Sequence, residues 1–189
     1  MSVIPAGTEV SYTITYLRMT RRPAFAVPPL PEGVRLDRAI DPPVWYFLSL
    51  YDAVGRDYEW QDRFDQAEDD PAALQAFVRD PEVVIWTALA RGWPQGFFVL
   101  DWREPGSCDL AYFGLVPQAV GSGLGRPLLE TAIATGWQRD GVEAMTVNTC
   151  TLDHPRALTL YQKMGFEPIR QETRTRRLVH ERDTTLHSD

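Results

Sequence analysis

The period of apolar and polar positions changes several times along the chain. Residues 8–19, "TEVSYTITYLRM", are rich in Thr, Tyr, Val and Ile and predict a strand. "RRPAFAVPPLPEG" (21–33) carries four prolines and predicts a loop or arm, of a kind that can contact a partner. "VRLDRA" (34–39) predicts a short strand. "DPPVWYFLSLYDAVG" (41–55) predicts a helix opened by Asp41 and prolines and closed by Gly55, and "DDPAALQAFVRD" (69–80) a second one. Strands follow at 82–91, 96–104 and 108–116. The turn signals "GWPQ" and "PGS" separate them, and connections this short favour antiparallel pairing.

Beyond residue 120, Leu124, Leu128, Leu129, Ala132, Ile133 and Trp137 recur at helical spacing. "AMTVNTCT" (144–151) predicts a strand, "PRALTLYQKMGF" (155–166) a helix and "RQETRTRRLV" (170–179) a final polar-faced strand. An antiparallel meander followed by a strand–helix–strand crossover makes an α/β domain with a mixed sheet. The order predicts an N-terminal strand and Pro-rich arm at 1–33, the main domain at 34–180 and a polar tail at 181–189.

Length and charge narrow the function classes. A chain of 189 residues is expected to fold as one domain. A net charge of -7 argues against broad nucleic-acid binding, which needs a basic face. It is compatible with a cationic substrate, but solubility alone is the better explanation of it. Cys108 and Cys150 form neither metal-ligand spacing nor a disulfide framework, so no metal is expected. The N-terminus lacks the pattern of a signal peptide, and the longest apolar run, near 83–90, is far too short to span a membrane. A cytoplasmic setting without membrane contact is the expectation.

The chemistry begins at "GLVPQAVGSGLGRPLLETAI" (114–133), where Gly121, Gly123 and Gly125 stand at a strand-to-helix junction. The first N–H groups of a helix lack internal partners, and the helix dipole adds partial positive charge there. A loop stripped of side chains lets an anion sit directly on those amides, with Arg126 adding a full charge. A tight turn that needs glycine only for its backbone shape is the other reading. A nucleotide-hydrolysing P-loop would continue with Lys-Ser or Lys-Thr, whereas Gly125 is followed by Arg126 and Pro127. A dinucleotide fold would carry its glycines early in a parallel unit, not after a meander.

In the second stretch, "VNTCTLDHPRALTLYQKMGFEP" (147–168), Pro155 suits a first helical turn with Asp153 or His154 as cap. Gly165 suits the left-handed residue past the helix end. Ala157, Leu158, Tyr161 and Met164 share a face, so the Tyr161 hydroxyl needs a partner on the inward side. On spacing alone it is a core tyrosine.

Together the two stretches resemble the GNAT superfamily of N-acetyltransferases. That family's cofactor loop reads Gln/Arg-x-x-Gly-x-Gly/Ala after a Val-x-Pro-like turn; here "LVP" at 115–117 precedes Val120-Gly-Ser-Gly-Leu-Gly125. Its later motif runs from an Asn-Pro-x-Ala-like helix start to a Tyr and then Gly-Phe; here these are "DHPRAL", Tyr161 and "KMGF". The likeness covers about residues 34–180. Val120 departs from the usual Gln or Arg, and His154 from a frequent Asn.

The resemblance implies a GNAT-like mixed, partly antiparallel sheet flanked by helices, with the N-terminal strand and arm added. It implies transfer of an acetyl group from acetyl-CoA to a primary amine by direct attack. The pyrophosphate would lie on the amides of Gly121, Ser122, Gly123, Leu124, Gly125 and Arg126. The pantetheine would run between strands ending near Leu115 and Asn148, using backbone groups of Leu115 and Val116, with His154 also reaching the cofactor. A bulge at Gly114 would open the sheet there. Tyr161 would protonate the leaving thiolate, and a backbone N–H near Leu115 would serve the oxyanion. Asp109 is the candidate base, with a solvated aspartate at a strand start as the alternative. Cys150 ends a buried strand, where thiols are usually inert.

Residues 41–65 mix Trp45, Tyr46, Tyr51, Tyr58 and Trp60 with Asp52, Asp57, Glu59, Asp62 and Asp65. This region would border the acceptor and suits an amine with apolar surface, unless it is simply two amphipathic helices. The rival function is a non-catalytic CoA- or anion-binding module. The N-terminal strand, taken as an unpaired edge, predicts a homodimer.

Overall fold

Alternating strand residues sort into two buried sets, and that sorting defines the layers of the computed structural model, which describes residues 3–183. The strands are β1 (Val3–Ile4), β2 (Glu9–Met19), β3 (Arg35–Arg38), β4 (Val83–Ala90), β5 (Trp93–Asp101), β6 (Ser107–Leu115), β7 (Ala144–Cys150), β8 (Glu167–Arg177) and β9 (Arg182–Asp183). The helices are α1 (Val44–Gly55), α2 (Asp62–Asp69), α3 (Pro71–Arg79), α4 (Gly125–Gly136) and α5 (Ala157–Lys163).

Seven strands form one sheet in the order β3-β4-β5-β6-β7-β2-β8, and β1 pairs with β9 in a separate ribbon. On one face, Phe97 and Val99 pack with Phe47, Leu50, Val54, Leu74 and Phe77 of α1 and α3. On the other, Phe98, Leu100 and Leu110 pack with Leu128, Leu129 and Ile133 of α4 and with Tyr161 of α5. Phe47, Phe97 and Phe98 are fully buried. Each contributes about 1.5–3 kcal/mol relative to exposure.

The meander β3–β6 is antiparallel throughout, and β6 and β7 run parallel. The β6–β7 pairing covers only Ser107↔Ala144, Cys108↔Met145 and Asp109↔Thr146. Beyond Asp109 the two strands part, which leaves a V-shaped opening in the middle of the sheet.

The β6 irregularity lies elsewhere than at Gly114. Val99 faces Tyr112 and Leu100 faces Leu110, so Ala111 is the extra residue, while Gly114 stays paired with Phe97. The bulge shifts the phase of β6: Cys108, Leu110 and Phe113 belong to the α4 side, Ala111 and Tyr112 to the α1 side. Gly114 is glycine because α1 passes close by; a Cβ there would fall on Val54 Cγ1.

The N-terminal strand is no unpaired edge. β2 lies between β7 and β8, antiparallel to both, in register from Ile14↔Cys150 to Met19↔Met145 and from Glu9↔Arg177 to Arg18↔Glu167. Its odd positions Thr15, Leu17 and Met19 are buried, the last two in the α4-side core. The edges of the sheet are β3 and β8, so the ground for expecting a homodimer from an unsatisfied β2 is removed. The Pro-rich arm has no regular structure, but Phe25 and Leu30 pack against the α4-side core.

Three further differences have local causes. α2 escapes sequence detection because "DRFDQAED" offers only Phe64 and Ala67 as an apolar face, both partly buried against the α1-side core, and none of its residues is fully buried. α5 starts at Ala157 with no side-chain cap, later than Pro155 suggests, and the Asp153 carboxylate instead accepts from Thr149 Oγ1 and Cys150 N. At its other end Gly165 takes φ +100°, the left-handed conformation expected of it. Of the expected polar tail, Arg182 is buried, and residues 184–189 lie outside the described part.

Candidate functional site

The opening between β6 and β7 continues into a cavity of about 590 Å³. It is built by the parted strands, the glycine loop with the start of α4, the β7–α5 turn with α5, and a wall from β2, β8 and the α1–α2 connection.

At the loop end, Gly121 and Gly123 take φ +82° and +84°, a region that L side chains rarely enter. A short helical turn at 117–119 precedes them and consumes local amides: Ala119 N donates to Val116 O, Val120 N to Pro117 O and Ser122 N to Ala119 O. The amides of Gly121, Gly123, Leu124, Gly125 and Arg126 donate to no described residue. Five free N–H groups thus cluster where α4 begins, at the positive end of its dipole. Arg126 lines the cavity and is steadied by the buried Glu130 through an Nε–Oε1 bond of 2.9 Å. An anionic ligand fits this donor set.

Tyr161 stands on the α5 side. It is 6% exposed, packs edge-on against Phe166 and lines the cavity. Its hydroxyl bonds to no described residue. Burial first, then the carboxylates of Asp153 and Asp109, push its pKa well above that of free tyrosine, so the hydroxyl is held protonated. A neutral, unpartnered donor facing a cavity can give a hydrogen bond or a proton to whatever enters.

The other expected site residues divide. Leu115, Gly121, Gly123, Gly125, Arg126, Asn148, His154 and Tyr161 all line the cavity. Ser122, Leu124, Val116 and Asp109 do not. Leu124 is buried in the α4-side core, and the Ser122 amide is taken by Ala119. Val116 donates its N–H to Gln95 O and gives its carbonyl to Ala119 N, so neither backbone group is left over. His154 Nδ1 accepts from Arg156 N at 3.2 Å, and burial lowers the ring's pKa, with Arg156 adding to the shift.

Asp109 stands at the vertex where β6 and β7 separate. Thr146 Oγ1 donates to Asp109 Oδ1 at 2.5 Å. Burial raises the Asp109 pKa, partly offset by that hydrogen bond. The Cys150 thiol lines the cavity but is pushed up to about 11, chiefly by burial, so it is a poor nucleophile at neutral pH.

The aromatic-and-acidic segment also splits. Tyr58, Glu59, Trp60 and Asp62 reach the cavity, whereas Trp45, Tyr46, Asp52 and Asp57 line a separate surface groove. Tyr51 is buried in the α1-side core. Trp60 Nε1 donates to Asp153 Oδ1 at 3.0 Å and ties the α1–α2 connection to the β7–α5 turn. Glu59, with φ +61°, accepts from Val179 N and His180 N at 2.8 and 2.9 Å. Arg176 Nη1 donates back to Glu59 O at 2.5 Å, which closes the wall onto the end of β8.

Sequence reasoning missed the β2 and β8 contributions, Tyr12, Ile14, Arg174 and Arg176. The available signal was the alternation in "RQETRTRR", where every second side chain shares a face. Among the described residues no group of three or more His, Cys, Asp or Glu could hold a metal ion, and no helix is long and apolar enough to cross a membrane.

Comparison with known proteins bears on this geometry. A family model described as Acetyltransferase (GNAT) family matches residues 47–166. No curated protein matches by sequence. Among solved structures, a GCN5-related N-acetyltransferase from Sphaerobacter thermophilus is similar at TM-score 0.61 and 17% identity, over 93% of this chain and 53% of that one. A tandem GNAT protein from the clavulanic acid biosynthesis pathway gives 0.63 and 18%, over 87% and 53%. An aminoglycoside acetyltransferase from an uncultured soil metagenomic sample gives 0.51 and 16%, over 71% and 88%. The chain spans about half the length of the first two. At these identities the structures speak to the fold, and the fold agrees with the family model. With that model matching well over half of its length, and with a glycine loop at the parting of two parallel strands, this chain belongs to the GNAT acetyltransferase family.

Proposed function

We propose that the protein is an N-acetyltransferase that moves an acetyl group from acetyl-CoA to a primary amine by direct attack. One observation carries the reading: a single cavity joins the unpaired amides of four residues before and at the start of α4, Gly121, Gly123, Gly125 and Arg126, to the unpartnered hydroxyl of Tyr161. The first set suits a pyrophosphate, and the second suits a leaving group that needs a proton.

Acetyl-CoA, when bound, supplies a thioester activated for attack by nitrogen. Backbone amides of the glycine loop hold the diphosphate, with Arg126 beside them. Leu115, next to Gly114 on the parted strand, presents backbone to the acyl group, and Asn148 faces it from β7. The amine lone pair forms the new C–N bond as the C–S bond breaks. Tyr161 gives its hydroxyl proton to the departing sulfur, and the amine loses one proton. Asp109 is the proposed acceptor of that proton, reached through water because it lies at the vertex and not on the cavity wall. Its raised pKa suits it to hold a proton nearer neutrality than an ordinary aspartate would.

Acetyl-CoA turnover with a panel of primary amines, followed by release of free thiol, tests this reading. The expected result is amine-dependent release that Tyr161→Phe suppresses. CoA binding without turnover of any amine would favour the non-catalytic module instead.

A further inference from the structure

The outer half of the cavity has a charge pattern at odds with the rest of the molecule. The chain carries a net charge of -7, yet four arginines line the cavity: Arg126, Arg156, Arg174 and Arg176. Arg126 stands at the glycine loop, and Arg156 two residues after His154. Arg174 and Arg176 belong to β8 and share the face of the sheet that presents Tyr12 and Ile14 of β2 to the cavity.

The cavity's carboxylates are Glu59, Asp62 and Asp153, and two of them are already satisfied by neutral donors. Glu59 receives two backbone N–H groups. Asp153 receives Trp60 Nε1, Thr149 Oγ1 and Cys150 N. Asp62 has a side chain 88% exposed and lies 3.6 Å from Arg176 Nη2, a long and solvated contact. Outside the cavity, Glu172 is shared: Arg174 Nε donates to it at 2.7 Å, Arg170 lies 3.6 Å away and Tyr16 also donates to it. The two terminal nitrogens of Arg174 bond to no described residue. Two of the three carboxylates are thus occupied by neutral donors, whereas the buried Arg176 Nε and the terminal nitrogens of Arg174 have no partner among the described residues.

We propose that the amine acceptor also carries a carboxylate, and that Arg174, with Arg176 beside it, holds that carboxylate in the outer cavity. This rests on the acetyl-transfer reading and names its substrate class: a small amino-carboxylic acid. A planar guanidinium meets a carboxylate through two parallel N–H···O bonds, which fixes orientation as well as position. The rings of Tyr12, Tyr58 and Trp60 line the same cavity and offer apolar surface to the carbon frame of such an acceptor. Arg174 and Tyr161 line the same cavity, so an acceptor held by its carboxylate on β8 shares that space with the Tyr161 hydroxyl.

The test is calorimetry on the full chain saturated with CoA. The probes are the common α-amino acids, each paired with its own carboxamide. At least one acid is expected to bind on the order of ten- to a hundredfold more tightly than its amide, the range of charge-assisted hydrogen bonds. Arg174→Gln is expected to erase that preference and Arg174→Lys to restore part of it, with CoA affinity unchanged. No acid binding better than its amide, or an equal loss for both partners in Arg174→Gln, overturns the proposal. A matching fall in CoA affinity overturns it too, because the arginines would then serve the cofactor. If Arg174-dependent acid binding occurs without acetyl transfer, the substrate class stands and the transferase reading fails. If amides are acetylated as well as acids, the reverse holds.

Discussion

The two ends of the cavity are made of different material. The loop end is backbone: the unpaired amides of Gly121, Gly123, Gly125 and Arg126, oriented by two left-handed glycines and one helix start. All of it lies within six consecutive residues. The outer end is side chains brought from far apart: Tyr12 from β2, Tyr58 and Trp60 from the α1–α2 connection, Arg174 and Arg176 from β8. The first can bind an anionic group common to many ligands but has few means of choosing among acceptors. The second has little that would bind every ligand and much that can discriminate. A family can keep one end and vary the other because substitutions in β8 leave the loop amides where they are.

Tyr161 sits where the two ends meet, and its substitution is the most severe break. Tyr161→Phe keeps the packing against Phe166 and removes one hydroxyl. The expected fall in kcat is about 10²–10⁴-fold, the usual worth of a positioned general acid, with little change in CoA affinity. Pre-steady-state measurement of the chemical step checks it. A thioester with a more acidic leaving group should shrink the effect, because it needs the proton less.

Gly123→Leu breaks the loop end alone. No atom lies within 4 Å of a Cβ at Gly123, so the fold has room, but φ +84° strains any L residue. That strain of about 1–2 kcal/mol, together with a side chain where the diphosphate would approach, should weaken CoA binding by on the order of tenfold or more. Calorimetry is expected to detect this with no change in amine selectivity.

Glu59→Gln strikes the outer wall. It leaves an amide group where a carboxylate accepted two backbone N–H groups, a loss of about 1–3 kcal/mol. Urea unfolding should record the loss of stability. KM for the amine should rise while CoA affinity holds. Equal changes in both would mean that the two ends are mechanically coupled.

The smallest effect on stability is expected at the vertex. Asp109 has a folded-state pKa raised above its unfolded value, so between those values the native state binds more protons and stability falls as pH rises. Asp109→Asn should therefore stabilise the protein modestly at neutral pH, and the gain should vanish below about pH 4, the reference range of the unfolded group. If Asp109 also takes the amine proton, the acidic limb of the kcat/KM profile disappears in the same variant. An unchanged limb would leave it a structural aspartate.

Sequence reading succeeded where the physics is local. The antiparallel meander followed from short turns between strand-like apolar stretches. The loop end followed from three glycines at a strand-to-helix junction, and the end of α5 from Gly165. Local steric rules fix such features whatever surrounds them. The reading failed where a partner far along the chain decides. The bulge falls on Ala111 because of how β6 registers with β5, while Gly114 answers to a helix sixty residues earlier. α2 has only the short face of Phe64 and Ala67 and places Asp62 and Arg63 against β8 and β6: Arg176 lies near Asp62, and Arg63 donates to the Tyr112 hydroxyl.

What the sequence determined by itself is therefore most of the element types and two motifs, each set by spacing within about twenty residues, that together point to the family. Only the tertiary structure decided where β2 goes. An 11-residue strand rich in Thr, Tyr and Ile pairs well with any partner of suitable length, and nothing within it chooses a place in the sheet. Its insertion between β7 and β8 follows from burying Leu17 and Met19 under α4 and α5 while satisfying a ladder on both sides. That one placement puts Tyr12 beside Arg174 and converts the exposed alternation of β8 into the wall of a binding site.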